Sequence, residues 1–147
     1  MISKRKILLV EDDLIEAMKL NRTITKLNFP HEVVQVKNGE EALAMLKDTS
    51  VSLPDVLLLD LNMPRMSGIE FLHILRADEE LKYLPTIILT TSGNRADLEE
   101  CFRIGVAGYI VKPLKYEDYQ EKLRRVIEYW EVNELVKPIQ RLQSSEI

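Results

Sequence analysis

Apolar residues in this chain fall into short unbroken runs separated by longer mixed stretches. Ile7-Leu8-Leu9-Val10, Val56-Leu57-Leu58-Leu59 and Thr86-Ile87-Ile88-Leu89 are continuous, Val33 to Val36 is a weaker run, and Tyr109-Ile110-Val111 is a short fifth. A strand with one wet face alternates apolar and polar residues, whereas a strand covered on both faces does not. These runs therefore read as strands of a buried parallel sheet. The stretches between them carry apolar residues at helical spacing. Leu14 to Leu27 has Leu14, Ala17, Met18, Leu20, Ile24 and Leu27; Gly39 to Lys47 has Ala42, Leu43, Met45 and Leu46. Gly68 to Arg76 has Ile69, Leu72 and Leu75, and Ala96 to Ile104 has Leu98, Phe102 and Ile104. Tyr116 to about Val136 is the longest, with a stripe of Leu123, Val126, Ile127 and Trp130. Glycines and prolines such as Pro54, Pro64, Gly68, Pro85, Gly105 and Pro113 punctuate the junctions. Strand followed by helix, repeated along the chain, predicts an open doubly wound parallel α/β sheet with right-handed crossovers. One such domain occupies residues 1–136, including an extended last helix. Residues 137–147 read as a short polar tail, with no second domain expected.

In this architecture ligands bind beyond the C-terminal ends of the strands. The first strand ends in Glu11-Asp12-Asp13, the third in Asp60, the fourth in Thr90-Thr91-Ser92 and the fifth in Lys112-Pro113. Each has an ordinary explanation. The three acids suit the start of a helix, and Asp60 suits a turn before Asn62 and Pro64. Lys112 suits a solvated loop, and Thr90 a β-branched strand position. All four explanations would have to coincide at one sheet edge. Crowded carboxylates disfavour one another's ionisation, so the group calls for a cation, and oxygen-only ligands suit Mg²⁺. Asp12 and Asp60 are candidates for direct ligation, with Glu11 acting through a metal-bound water. A nucleophilic carboxylate with a cation, an ammonium and a hydroxyl around it fits acyl phosphate formation.

Bulk properties narrow the classes further. The 147 residues are 46% hydrophobic and 30% charged, enough for one sizeable core. A formal net charge of −4 provides no basic field for nucleic acid. The single cysteine, Cys101, excludes an intrachain disulfide. The apolar run after the basic start ends at once in acids, unlike a signal peptide. No run approaches the roughly 20 apolar residues of a membrane span. A cytoplasmic location is the expectation.

Four segments together resemble the receiver domain of two-component response regulators. They are Ile7 to Asp13, Leu58-Leu59-Asp60-Leu61-Asn62-Met63-Pro64-Arg65-Met66-Ser67-Gly68, Leu89-Thr90, and Gly105 to Pro113. The resemblance spans roughly Lys4 to Trp130. It implies a flavodoxin-like (βα)5 fold with strand order 2-1-3-4-5. It also implies Asp60 as phosphoacceptor, and Glu11 and Asp12 as the acidic pair. The Asn62 backbone carbonyl would be a further metal ligand and Lys112 the phosphate-pairing lysine. Thr90 and Tyr109 would be the switch pair, and the Lys112–Pro113 peptide would be cis. The implied cofactor is Mg²⁺, with Mn²⁺ able to substitute. Thr91 stands where the family more often has Ala or Gly, which suggests slower dephosphorylation.

The implied function is that of a single-domain response regulator that takes a phosphoryl group from a histidine kinase and signals to a downstream protein. Passing phosphate on to a histidine phosphotransfer protein is the alternative. A flavin site is disfavoured because three acids stand where a phosphate-binding loop belongs. An aspartyl-nucleophile phosphatase would want an acid at position 62, which is Asn. Leu81-Lys82-Tyr83-Leu84-Pro85 and Ile127-Glu128-Tyr129-Trp130 resemble small regulators paired with phytochrome-type histidine kinases. That resemblance implies homodimerisation through the fourth-helix to fifth-helix face, with Tyr129 and Trp130 as contacts or, alternatively, as packing within the domain. His31 and His73 read as surface or packing residues, and Cys101 as semi-buried.

Overall fold

The computed structural model describes residues 4–136. The elements are β1 Lys6–Val10, α1 Leu14–Lys26, β2 Glu32–Val36, α2 Gly39–Lys47 and β3 Val56–Leu59. They continue as α3 Gly68–Ala77, β4 Thr86–Thr90, α4 Arg95–Ile104, β5 Gly108–Val111 and α5 Tyr116–Glu131. The strands form one parallel sheet in the order β2-β1-β3-β4-β5. The doubly wound, flavodoxin-like fold is therefore present.

Two apolar layers explain why the strand runs are unbroken. Leu8, Val10, Leu57, Leu59 and Ile88 face a layer with Ala42, Leu46, Phe71, Leu72 and Leu75 from α2 and α3. Their neighbours Ile7, Leu9, Val56, Leu58, Ile87 and Leu89 face the opposite layer, with Ala17, Leu20 and Ile24 of α1 and Tyr119, Leu123 and Ile127 of α5. Each Leu or Ile buried in this way contributes roughly 1.5–3 kcal/mol. Side chains cap the first four helices: Asp13 accepts from Ile15 N–H, Asn38 from Glu41 N–H, Ser67 from Glu70 N–H and Asn94 from Ala96 N–H.

Two expectations change. First, α5 stops at Glu131 rather than near Val136. Arg5, just ahead of β1, donates to the carbonyls of Trp130, Glu131 and Asn133 at 2.9, 3.3 and 3.1 Å. Asn133 Nδ2 folds back to Tyr129 O at 2.7 Å. Carbonyls at a helix end need donors, and here a distant arginine supplies them. The tail 137–147 lies outside the described residues.

Second, the α1 stripe is not all core. Ala17, Leu20 and Ile24 are buried, but Leu14, Ile15 and Met18 are 61%, 75% and 59% exposed. On α4, Leu98 and Phe102 are exposed and the buried residue is Cys101, which is fully enclosed and not half-buried. Burial pushes its thiol up to about 11. His31 is a packing residue, one of the two roles expected for it. Its Nδ1 accepts from Arg5 N–H at 3.1 Å, and its Nε2 lies 3.4 Å from Glu131. His73 is exposed and pairs with Glu100 at 3.2 Å, joining α3 to α4.

Candidate functional site

The C-terminal edge of the sheet gathers the residues singled out above. Glu11 follows β1 directly. Its N–H donates to Val36 O at 3.0 Å, and its carbonyl accepts from Gln35 Nε2 at 2.8 Å, so β2 fixes its backbone on both sides. Its side chain is buried, whereas Asp12 is exposed. The three acids thus divide their duties: Asp13 caps α1, and Glu11 and Asp12 stay with the site. Asp60 follows β3, with its N–H on Val10 O at 3.1 Å and the residue only 9% exposed. Asn62 N–H turns back to Asp60 Oδ1 at 3.3 Å. Carboxylate oxygens of Glu11, Asp12 and Asp60 lie within 4.8 Å of one another.

Across from them stands Lys112. Its N–H donates to Thr90 O at 2.7 Å, which ties the end of β5 to the end of β4. Its ammonium is buried, 2.8 Å from Glu11 Oε1 and 3.3 Å from Glu16 Oε2. Sequence reasoning missed Glu16. The available signal was its place on α1, four residues after Asp12 and so one helical turn along. The Lys112–Pro113 bond is a correction, because no peptide bond among the described residues is cis. Trans is the form favoured by about 0.5–1 kcal/mol before proline. The ammonium reaches Glu11 from a trans peptide.

Thr90 is fully buried, and its Oγ1 accepts from Ser92 N–H at 3.3 Å. Tyr109 sits partly against the α2–α3 layer, with its hydroxyl donating to Ser92 O at 2.8 Å. The loop after Asp60 turns through Arg65, at φ 69°, and closes on Gly68, whose N–H donates to Leu61 O at 3.1 Å. A Cβ at Gly68 would lie 2.7 Å from Leu61 Cα and 3.0 Å from Asp60 O, so only glycine admits this approach.

Electrostatics indicate what the site is suited to hold. Burial pushes the Glu11 carboxyl up to about 7, against the hydrogen bond and charge of Lys112; Asp60 adds to the rise. Burial would lower the Lys112 ammonium, but its hydrogen bond to Glu11 and the charges of Glu11, Asp60 and Glu16 raise it on balance. One lysine does not balance the carboxylates around it. An oxygen-only donor set with surplus negative charge fits a hard divalent cation.

A doubly wound sheet with such a site at the C-terminal ends of its strands belongs to the flavodoxin-like class, which binds its ligands there. Residues 7–124 match the family model of the response regulator receiver domain. The chain belongs to that family, and its role is that of a phosphoacceptor in two-component signalling. Chemotaxis protein CheY-3 of Vibrio cholerae is 37% identical over 123 residues, covering 84% of this chain and 92% of that protein. The phosphorylated cyanobacterial phytochrome response regulator RcpA superposes with a TM-score of 0.84 at 33% identity, covering 90% of this chain and 99% of that one. The Mn²⁺-bound form of response regulator Rcp1 does so with a TM-score of 0.82 at 28% identity, again covering 90% and 99%. No helix among the described residues is long and apolar enough to cross a membrane.

Proposed function

We propose that Asp60 is the phosphoacceptor of this receiver and that Glu11, Asp12, Asp60 and the Asn62 carbonyl hold a divalent cation, Mg²⁺ or Mn²⁺. The supporting observation is the convergence of three carboxylates within 4.8 Å at the strand ends, facing a buried lysine. The Mn²⁺-bound state of Rcp1 is consistent with this. When bound, the cation supplies positive charge to the transferring oxygens. Asp60 Oδ attacks phosphorus, the new O–P bond forms as the donor's N–P bond breaks, and the electron pair leaves with the imidazole. Lys112 shifts from Glu11 towards the phosphoryl oxygens. The Thr90 hydroxyl turns its hydrogen to the same oxygens. Incubation with Mg²⁺ and acetyl phosphate should add one phosphoryl mass to the wild type and none to Asp60→Asn. Equal labelling of the two would sink the assignment.

The donor is a histidine kinase, of phytochrome type by analogy with RcpA. Leu14, Ile15 and Met18 are exposed apolar residues on the first turns of α1, the helix that starts just after Glu11 and Asp12, which suits a protein donor. Ile15→Glu is therefore expected to slow transfer from a kinase about tenfold, the scale of one well-placed interface residue. Its rate with acetyl phosphate should stay unchanged. A parallel fall in both rates would argue against this docking face.

The output face is formed by α4, β5 and α5, where Leu98, Phe102, Val111 and Tyr129 are exposed. A second copy or a downstream protein docks there. Trp130 is packed against the α1–α5 layer and belongs to the fold, which leaves Tyr129 for contacts. Light scattering before and after acetyl phosphate treatment should show more dimer in the phosphorylated protein. A monomer in both states would remove the second copy as occupant.

A further inference from the structure

Ser92 joins three elements. Its N–H donates to Thr90 Oγ1 at 3.3 Å, and its carbonyl accepts the Tyr109 hydroxyl at 2.8 Å. Its own hydroxyl donates to Asp97 Oδ2 at 3.0 Å and accepts from Asn94 N–H at 3.4 Å. Asn94 caps α4, and Asp97 lies in its first turn. The end of β4, the phenol on β5 and the start of α4 therefore meet at one residue.

The rest of α4 is lightly held. Cys101 is its buried residue, while Leu98 and Phe102 remain exposed. His73 and Glu100 tie it to α3 through an exposed ion pair, a type of contact worth about 0–1 kcal/mol. With so little apolar burial, the first turn depends on hydrogen bonds for its position, and such segments shift at low cost.

We infer that Ser92 is a positioning residue that couples the Thr90 hydroxyl to the first turn of α4, with the Ser92–Asp97 hydrogen bond as the link. The inference rests on the proposed phosphorylation of Asp60. A phosphoryl group there draws Thr90 Oγ1 away from Ser92 N–H, and a half-buried donor that loses its acceptor moves or finds another. Because the same residue holds the Tyr109 hydroxyl and Asp97, its movement shifts the phenol and α4 together. Two of these bonds use the Ser92 backbone and the link to Asp97 uses its side chain. Ser92→Ala therefore cuts the branch to α4 and leaves the branch to Tyr109. Ser92→Thr keeps the hydroxyl.

Hydrogen exchange across 94–104 tests the coupling, read with and without Mg²⁺ and acetyl phosphate. In the wild type, phosphorylation should change exchange in this segment. Ser92→Ala should take up phosphate to the same extent, yet show a change several-fold smaller. Ser92→Thr should restore it. An undiminished change in Ser92→Ala overturns the inference. A second arm needs no phosphate: Thr90→Ala should alter exchange over 94–104 when residue 92 is Ser and not in the Ser92→Ala background. Equal effects in both backgrounds likewise overturn it. If the wild type takes no phosphate, the Asp60 assignment fails, and the Thr90→Ala arm still decides the Ser92 link.

Discussion

Lys112→Ala is expected to slow phosphoryl uptake from acetyl phosphate by roughly 10²–10³-fold, the scale seen when one preorganised charge-stabilising donor is removed. The ammonium is buried beside Glu11 and Glu16. No water-exposed cation can replace it without opening the site. Its loss also leaves a buried carboxylate without its partner, which costs about 3–5 kcal/mol when the charge is retained. Glu11 has an escape, since burial already holds its carboxyl up at about 7 and it can take a proton. The loss of stability should therefore fall below that range, while the loss of rate does not. Intact mass against time gives the first quantity and urea unfolding the second. An unchanged rate would show that Lys112 serves the fold alone.

Gly68→Ala is the other large effect. The added Cβ would stand 2.7 Å from Leu61 Cα and 3.0 Å from Asp60 O, both backbone atoms. Neither atom can swing aside like a flexible side chain, so the loop that carries Asp60 must move. Overpacking of this kind costs about 1–3 kcal/mol, and misplacing the acceptor slows transfer as well. Gly93→Ala is the matched control, because a Cβ there meets nothing within 4 Å. It should unfold within about 0.5 kcal/mol of wild type. Equal stability of the two variants in urea would contradict the close-approach argument.

The sheet and the site were legible in the chain for the same reason. Strands covered on both faces must be apolar throughout, so their ends show where polarity begins, and Glu11, Asp60, Thr90 and Lys112 stand at those ends. Contacts between distant parts of the chain were not legible. The α5 stripe of Leu123, Val126, Ile127 and Trp130 does not mark where the helix ends, and the last carbonyls before its stop at Glu131 are met by Arg5 from ahead of β1 and by Asn133. Leu14, Ile15 and Met18 are apolar like core residues, and periodicity does not distinguish a face that meets the sheet from one that meets a partner. Ser92 stands in the sequence as the last of three polar residues after the fourth strand, and its bonds to Thr90, Tyr109 and Asp97 depend on the fold. The family resemblance implied a cis Lys112–Pro113 bond, whereas the trans isomer already brings the lysine to Glu11.

The central claim is that the Asp60 carboxylate, and no other, becomes the acyl phosphate. Borohydride reduces an acyl phosphate to the alcohol and so converts a phosphorylated aspartate to homoserine. The protein is therefore phosphorylated with Mg²⁺ and acetyl phosphate, reduced, digested and sequenced by mass spectrometry. The account predicts homoserine at position 60; homoserine at position 12 or 13, or at none, would contradict it.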